Sequence, residues 1–464
     1  MFQLRQYQQD LIDQTRKQMQ LGHKNVLIQL PTGGGKTAIA SYMIKSAYEK
    51  GFQIWFICNR QELVDQTARS LYKIGIPFSY IAAGYEYDAK KSVFVCSIQT
   101  LNRRLSSIVN KPKMIYWDET RGIAATSWSN VFHNNPQAFH IGLDATPCRL
   151  SGEPLKDYYS KMVNGPSVRW LIDNGFLCDY KIFAPKVASF DAVKTKMGDY
   201  DIRGLDAIMN DKKILGNAVK EYQKHASGLR NLVFCNSIMH SENLCAEYKA
   251  AGIEAESIDG KMKDSERKSK LADFESGKMK VLTSVDLVTA GLDIPSIECV
   301  TLERATQSVA LAKQMIGRGL RTASGKNKLI ILDHVQMWQK HGLPCDEYEW
   351  SLDGQKKPKK KTETSVKMCD KCYFVYPTMS RICPECKYEK PVVAREVDME
   401  HTDDELTELN IEQARLSKRK EQGQAQSKEQ LYELGISRGY EPQKARKWAH
   451  YVFQGRQKRK LRGL

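Results

Sequence analysis

The stretch LPTGGGKTA, residues 30 to 38, has the composition of a phosphate-binding turn. It follows a short apolar run and precedes a segment of helical length, so backbone N–H groups and a helix N-terminus would face one anion. Lys36 would reach the β- and γ-phosphates of a nucleoside triphosphate, and Thr37 would ligate Mg²⁺. Leu30 stands where the usual pattern GxxxxGK[ST] begins with glycine. The residues predicted to hold the nucleotide here are Thr32, Gly33, Gly34, Gly35, Lys36 and Thr37.

Two adjacent carboxylates, Asp118 and Glu119, end the apolar run MIYWDE. An enzyme with such a phosphate turn needs a second site on a neighbouring strand that binds Mg²⁺ and orients the attacking water. We predict that Asp118 binds the metal and that Glu119 polarises the water. Without the phosphate turn, the same pair would be interpreted as a solvated strand end.

Four of the 12 cysteines form two CxxC pairs with ten residues between them: Cys369, Cys372, Cys383 and Cys386. Two such turns can supply four thiolates in a tetrahedron, the arrangement that Zn²⁺ prefers. Iron–sulfur ligation and disulfides are the alternatives. A module of about 25 residues has too little core to fold without its metal. We therefore predict a structural zinc site that presents Lys367, Lys371 and Arg381 to DNA or to a protein. The other eight cysteines are expected to be reduced core residues.

Short apolar runs alternate with helix-length segments from residue 25 to about 180 and again from about 213 to 352. This pattern is typical of parallel strands joined by crossover helices. The predicted fold class is α/β, with two tandem domains built on parallel sheets, then a zinc ribbon and a basic helical C-terminal segment. The predicted boundaries are 1–180 and 213–352 for the two domains, 181–212 for their linker, 353–366 for a basic linker, 367–392 for the ribbon, 393–410 for an acidic linker and 411–464 for the tail.

The formal net charge of +17 favours a polyanionic partner. More than half of it lies in residues 411 to 464, which contain 14 Lys or Arg and 5 Asp or Glu. Trp448, Tyr451 and Phe453 are interleaved with these charges and could stack on bases or pack a helical hairpin. We expect the aromatic residues to pack and the charges to contact phosphates. Neither a membrane span nor a secretory signal is indicated, so the expected location is the cytoplasm of a bacterium or of a phage-infected host.

With these motifs in order, residues 1 to about 335 resemble the superfamily 2 DExD/H-type helicases and translocases, whose two domains are RecA-like. The segments LRQYQQD, FICNRQELVDQ, SIQTL, GLDATPCR, VFCNS, SVDLVTAGLDIP and QMIGRGLR resemble successive motifs of that family. The resemblance implies that Gln8 reads the adenine with help from Arg5. It also implies that Gly291, Asp293 and Gln314 face the nucleotide and that Arg318 and Arg321 act as arginine fingers.

Two residues depart from the family pattern. Arg121 replaces the His of DEAH-type relatives, and Asp144 replaces the first Thr of the TATP segment. Because their charges are complementary, we hypothesise that Arg121 and Asp144 form a compensating ion pair. Hydrolysis is expected to survive the exchange, since Asp118 and Glu119 remain.

The motifs are closer to those of DNA-acting members, namely RadD-like repair helicases, phage branch-migration helicases and restriction-enzyme motors, than to those of RNA helicases. The predicted function is ATP-dependent remodelling of single-stranded, forked or branched DNA by a monomer that uses ATP, Mg²⁺ and Zn²⁺ and works with replication or repair proteins. An RNA helicase, or an ATP-gated clamp or recruitment protein without processive unwinding, is the alternative. No membrane partner is expected.

Overall fold

The computed structural model describes residues 4–148, 152–185, 190, 193–196, 198–285, 294, 296–353, 359–360, 365–390, 421–422 and 424–460. The chain forms two units, Met1–Pro391 and Val392–Leu464. The predicted acidic linker 393–410, most of the basic linker 353–366, and the predicted nucleotide contacts Gly291 and Asp293 lie outside the described residues. Within the described part of the chain, no helix combines the length and the apolar character needed to cross a bilayer.

The first sheet is entirely parallel, with strand order β3-β4-β2-β5-β6-β1-β7. Its strands are β1 Asn25–Gln29, β2 Ile54–Cys58, β3 Ser79–Ile81, β4 Val93–Ser97, β5 Met114–Asp118, β6 Phe139–Asp144 and β7 Lys161–Asn164. The helices of this domain are α1 Gln6–Gln20, α2 Lys36–Tyr48, α3 Gln61–Lys73, α4 Ile98–Arg104, α5 Thr126–His133 and α6 Val168–Asp173.

Apolar runs form these strands because both faces of the sheet are covered. In β2, Ile54 and Phe56 belong to one buried cluster, whereas Trp55 and Ile57 belong to another. Successive side chains of a strand point to opposite faces, so a strand buried on both faces must be apolar throughout. Parallel pairing also brings the carboxyl ends of neighbouring strands to one edge, where functional groups of such folds collect.

The second sheet is also parallel, with strand order β12-β13-β11-β14-β15-β8. Its strands are β8 Asp179–Phe183, β11 Asn231–Phe234, β12 Ala255–Ile258, β13 Val281–Ser284, β14 Cys299–Leu302 and β15 Lys328–Asp333. The remaining elements are the hairpin β9 Thr195–Lys196 and β10 Asp199–Tyr200, and the helices α7 Ile202–Met209, α8 Lys212–His225, α9 Ile238–Ala250, α10 Asp264–Glu275, α11 Val309–Gly319 and α12 Met337–His341.

The position of β8 corrects the predicted boundary at residue 180. Asp179–Phe183 pairs in register with Lys328–Leu332 of β15, so this strand is the edge of the second sheet. Sequence periodicity could not reveal this, because an apolar strand carries no mark of the sheet that it joins. The connection between the two domains is therefore itself a structural strand.

Two short antiparallel pairs follow the second sheet: β16 Tyr348–Glu349 with β17 Lys359–Lys360, and β18 Val366–Met368 with β19 Val375–Pro377. In the unit Val392–Leu464, the described residues include the helices α13 Lys428–Ser437 and α14 Pro442–Lys460. These helices pack against each other, burying Leu431, Ala445 and Ala449 completely.

Candidate nucleotide and metal sites

The glycine-rich turn between β1 and α2 is closed tightly on itself. Gly33 and Gly35 have φ angles of 85° and 90°, the left-handed region that favours glycine. A Cβ atom on Gly34 would lie 2.7 Å from the Leu30 side chain. Lys36 is the first residue of α2, and its Nζ donates to the Leu30 carbonyl oxygen over 3.2 Å. The turn therefore has a compact backbone and a partly buried ammonium group at the start of α2.

Asp118 and Glu119 lie beside this turn, at the carboxyl end of β5. Burial and the neighbouring charge of Glu119 raise the pKa of Asp118, against the opposing effect of Lys36. Burial also acts to raise the pKa of Glu119, but the nearby cations Arg121, Lys36 and Arg318 outweigh it and leave this pKa below its ordinary value. Glu119 adopts φ 52°, an uncommon angle for a residue with a side chain. The two carboxyl groups thus differ in their environment, because three cations act on Glu119 and hold its pKa low.

Arg121 contacts two carboxylates at once. Its Nη1 lies 2.5 Å from Glu119 Oε2 and 3.0 Å from Asp144 Oδ1. The Arg121 backbone N–H also donates to Asp144 Oδ2 over 2.7 Å. The hypothesised ion pair between Arg121 and Asp144 is therefore present in the structure. Its link to Glu119 was not predicted from the sequence.

The second domain reaches this site through α11. Gln314 Nε2 donates to Glu119 Oε2 over 2.7 Å. Arg318 is 6% exposed, and its charge acts on both Lys36 and Glu119. A Cβ atom built on Gly33 would lie 3.7 Å from Cγ of Arg321. The structure thus brings the predicted residues Lys36, Asp118, Glu119, Gln314, Arg318 and Arg321 to one interface between the two domains.

The backbones of the two domains also approach closely at this interface. A Cβ atom on Gly317 of α11 would lie 2.6 Å from Cβ of Thr32 in the turn. Real Cβ atoms do not come so close, so only glycine allows this contact. The predicted residue Thr32 therefore touches the second domain as well as lying in the phosphate turn.

Gln8 lies against the glycine turn from the side of α1. Its Nε2 donates to the Gly34 carbonyl oxygen over 3.2 Å, and its Oε1 accepts from the Arg5 backbone N–H over 3.0 Å. Tyr7 Oη donates to the same Gly34 oxygen over 2.7 Å. The Arg5 guanidinium lies 4.6 Å from the ring centre of Phe176. Gln8 thus contacts the turn and Arg5, and their predicted role in reading the adenine stays a prediction. The contacts of Tyr7 and Phe176 were missed because neither residue carries a chemical signature of its own.

The four cysteines of the CxxC pairs converge. Their sulfur atoms all lie within 4.8 Å of one another. The Sγ–Sγ distance is 3.6 Å both between Cys369 and Cys386 and between Cys372 and Cys383. A disulfide requires about 2.05 Å, whereas four thiolates at about 2.3 Å from one Zn²⁺ lie about 3.8 Å apart. The arrangement excludes disulfides in this structure and fits one tetrahedral ion.

The two CxxC turns have the same backbone geometry. Cys369 N–H donates to the Phe374 carbonyl oxygen over 2.9 Å, and Cys383 N–H donates to that of Tyr388 over 2.9 Å. The residues that follow the second cysteine of each pair, Tyr373 and Lys387, have φ angles of 61° and 58°. Such angles are rare for residues other than glycine. Both turns are therefore shaped in the same way, to aim paired sulfur atoms at one point.

The Cys-rich module, residues 365–390, packs on the edge strand β8. The Ala184 N–H donates to the Tyr373 carbonyl oxygen over 2.9 Å, and the rings of Phe183 and Phe374 have centres 5.5 Å apart. Lys181 Nζ lies 2.7 Å from Glu385 Oε2. The module is thus joined to the second sheet by a backbone hydrogen bond, an aromatic contact and an ion pair.

Two family models match the chain. Residues 1–149 match the model described as "Type III restriction enzyme, res subunit", and residues 212–323 match that described as "Helicase conserved C-terminal domain". The chain is 31% identical to a 51.5 kDa protein of a Lactococcus phage, over 83% of this chain and 84% of that protein. It is also 31% identical to the Saccharomyces cerevisiae protein named as ATP-dependent helicase IRC3, over 72% of this chain but only 51% of that protein.

Solved structures share the fold. A fragment of a type I restriction enzyme HsdR subunit from Vibrio vulnificus has a TM-score of 0.58 at 22% identity, covering 73% of this chain and 66% of that one. The type ISP restriction-modification enzyme LlaBIII bound to DNA has a TM-score of 0.54 at 17% identity, covering 72% and 28%. Saccharomyces cerevisiae Dbp5 bound to RNA has a TM-score of 0.51 at 16% identity, covering 68% and 83%. At these identities, the likeness concerns the fold alone.

Proposed function

The chain belongs to the superfamily 2 helicases, and on that premise we propose that it is an ATP-dependent helicase or translocase that remodels DNA. The observation that carries the proposal is the hydrogen bond from Gln314 to Glu119, because it joins the second domain to the carboxylate that would act on water. A site completed by both domains changes when the domains move. Hydrolysis there can therefore be coupled to motion along a strand.

The residues of the interface fit a bound magnesium nucleotide. The glycine turn offers backbone N–H groups to phosphate oxygens, and Lys36 holds the β- and γ-phosphates. Thr37 and Asp118 would hold Mg²⁺, which supplies the positive charge that neutralises these phosphates. Glu119 orients the attacking water. The guanidinium groups of Arg318 and Arg321 stabilise negative charge that develops on the transferred phosphoryl group, an effect worth about 10³ to 10⁵ in rate in well-studied systems.

Two observations favour DNA as the nucleic acid on which the protein acts. The chain carries a formal net charge of +17, which favours a polyanion. Two of the structures that share its fold are restriction enzymes, and one of these is bound to DNA. Dbp5, which has the same fold, is bound to RNA. The fold by itself therefore does not distinguish DNA from RNA, and an experiment must do so.

A panel of ATPase assays tests the proposal. Wild-type hydrolysis is measured with single-stranded DNA, duplex, fork, four-way junction and RNA at two salt concentrations, because phosphate contacts weaken as salt competes. We expect DNA to stimulate hydrolysis more than RNA, with displacement or branch migration of a labelled strand. Stimulation by RNA alone would establish an RNA helicase. Tight ATP-dependent binding with slow turnover and no displacement would establish a clamp.

We also propose that the four cysteines hold one structural Zn²⁺. A single ion draws four thiolates into one tetrahedron, whereas a cluster of several irons spreads its ligands over separate metal atoms. The close spacing of the four sulfurs favours the single ion. Elemental analysis of the purified protein should find about one zinc per chain. Stoichiometric iron with visible absorbance would overturn this assignment.

A further inference from the structure

The helical hairpin of residues 428–460 separates its aromatic side chains into two groups. Trp448 packs inside the hairpin: it lies against Gly435 and contacts Tyr440 edge to face, with ring centres 5.7 Å apart. The guanidinium carbon of Arg438 lies 5.6 Å from the ring centre of Trp448. Tyr451 is different, because 74% of it is exposed. The expectation that the aromatic residues of the tail pack is thus correct for Trp448 and wrong for Tyr451.

Charge is distributed unequally between the two helices. The 19 residues of α14 include seven Lys or Arg and no Asp or Glu. By contrast, α13 carries Lys428, Glu429 and Glu433. A helix with such a surplus and no acidic residue to offset it attracts polyanions.

Two of these lysines share a helix face with Tyr451. Lys444, Lys447 and Tyr451 follow one another at spacings of three and four residues, which places them on one side of an α-helix. All three are exposed. Ala445 and Ala449, which are buried against α13, lie on the opposite side. We call the three exposed residues the α14 stripe.

Arg446 does not belong to this stripe. Its guanidinium lies 5.7 Å from the ring centre of Tyr432 on α13, so it helps to hold the hairpin together. The stripe therefore consists of two exposed lysines and one exposed aromatic ring, which contacts the neighbouring His450 ring edge to face with centres 6.3 Å apart. Lys444 and Tyr451 are seven residues apart, or about 10 Å along the helix axis.

From this geometry we infer that the α14 stripe binds single-stranded nucleic acid, with Lys444 and Lys447 on phosphates and Tyr451 stacked on an unpaired base. Lysine alone would suit any polyanion, including duplex DNA or an acidic protein. The exposed tyrosine favours single-stranded over duplex nucleic acid as the ligand, because only unpaired bases offer their faces for stacking. The inference rests on the proposed function and specifies which part of the chain holds the strand outside the motor.

Binding of fluorescent strands to the full-length chain without ATP tests the inference. Two strands are compared, an oligothymidine and an abasic strand of the same length, which keeps its phosphates but has no bases. Tyr451→Ala should weaken oligothymidine binding by about five-fold or more and leave abasic binding unchanged. Lys444→Ala with Lys447→Ala should weaken both and reduce the slope of log affinity against log salt by about 1.4, since each phosphate contact contributes about 0.7 on single strands.

Matched variants distinguish the loss of a contact with nucleic acid from damage to the fold of the hairpin. Tyr451→Trp keeps a stacking ring and should restore oligothymidine binding, and Lys444→Arg with Lys447→Arg keeps the charges and the salt slope. Tyr72→Ala removes another exposed tyrosine, 80% exposed on α3, and should have no effect. Equal losses on both strands for Tyr451→Ala, or an unchanged salt slope for the double lysine variant, would overturn the inference. Failure of the proposed function would appear differently, as wild-type ATP hydrolysis that no nucleic acid stimulates.

Discussion

The guanidinium group of Arg121 joins the carboxylates of Glu119 and Asp144, at 2.5 Å and 3.0 Å. Asp144 is fully buried at the end of β6, and its Oδ1 also accepts the Thr146 backbone N–H over 2.9 Å. The carboxylate that would act on water is therefore tied, through one arginine, to the segment that follows β6. The two departures from the family pattern form a single unit.

Removing Arg121 and Asp144 together should destabilise the protein by less than the sum of the two single losses. Arg121→Gln leaves Asp144 and Glu119 buried without their shared cation, which costs about 3 to 5 kcal/mol when a buried ion pair is broken. Arg121→Gln with Asp144→Asn should lose less than the two single variants combined. The measurements are thermal unfolding and stimulated ATPase rate for the three variants. If the loss of stability in the double variant equalled the sum of the losses in the two single variants, the contact between Arg121 and Asp144 would contribute no interaction energy.

A charge-reversed pair is a poor test of the same contact. Asp144 accepts backbone N–H groups from both Arg121 and Thr146. An arginine at position 144 would set a buried cation against two donors, so Arg121→Asp with Asp144→Arg should fail to restore activity even though the native pair exists.

Lys36→Ala and Glu119→Gln should separate nucleotide binding from hydrolysis. Lys36 would contact the phosphates, so its loss should weaken ATP binding. Glu119 would act on water, so Glu119→Gln should bind ATP with affinity near that of the wild type while kcat falls by about 10²-fold or more. A fluorescent ATP analogue measures the first property and phosphate release measures the second. Wild-type turnover by Glu119→Gln would refute the assignment of this residue.

Gly317→Ala should prevent the closed arrangement of the two domains. The added Cβ would lie 2.6 Å from Thr32 Cβ, which belongs to the opposite domain. We expect stimulated ATPase to fall by about ten-fold or more, because Gln314, Arg318 and Arg321 on the same helix would be moved away from Glu119 and Lys36. Binding of single-stranded DNA without ATP should change little.

Gly216→Ala is the matched control for this substitution. Gly216 is also helical, in α8, but a Cβ there meets nothing within 4 Å. The exchange should raise stability by up to about 1 kcal/mol through helix propensity and leave ATPase unchanged. Equal ATPase rates for the Gly317→Ala and Gly216→Ala variants would contradict the proposed contact with Thr32.

Removal of the metal should loosen more than the Cys-rich module. Because Tyr373, Phe374 and Glu385 hold the edge strand β8, loss of their fold frees the strand that connects the two domains. Chelation or Cys383→Ser should therefore increase hydrogen exchange in residues 179–185 as well as in 365–390. The control is Cys96→Ala, since Cys96 lies on β4 of the first sheet and is not one of the four clustered cysteines. Faster exchange confined to residues 365–390 would mean that the module is an independent appendage.

The sequence alone determined the parts whose chemistry is local. A glycine turn between a strand and a helix, a carboxylate pair at a strand end and two CxxC turns each have a composition and spacing that few other structures require. Alternating apolar runs were sufficient for two parallel-sheet domains, because a strand covered on both faces must be apolar throughout. The complementary charges of Arg121 and Asp144 were likewise sufficient to propose their contact.

Tertiary structure decided what depends on residues far apart in the chain. The hydrogen bond from Gln314 to Glu119 spans 195 residues, and the ion pair from Lys181 to Glu385 spans 204. Periodicity within a segment cannot encode such contacts, because it reports only which face of an element is buried and not what covers it. For the same reason, the sequence could not assign β8 to the second sheet or distinguish the packed Trp448 from the exposed Tyr451. These positions follow from how the folded elements meet, and only the complete packing of the chain determines that.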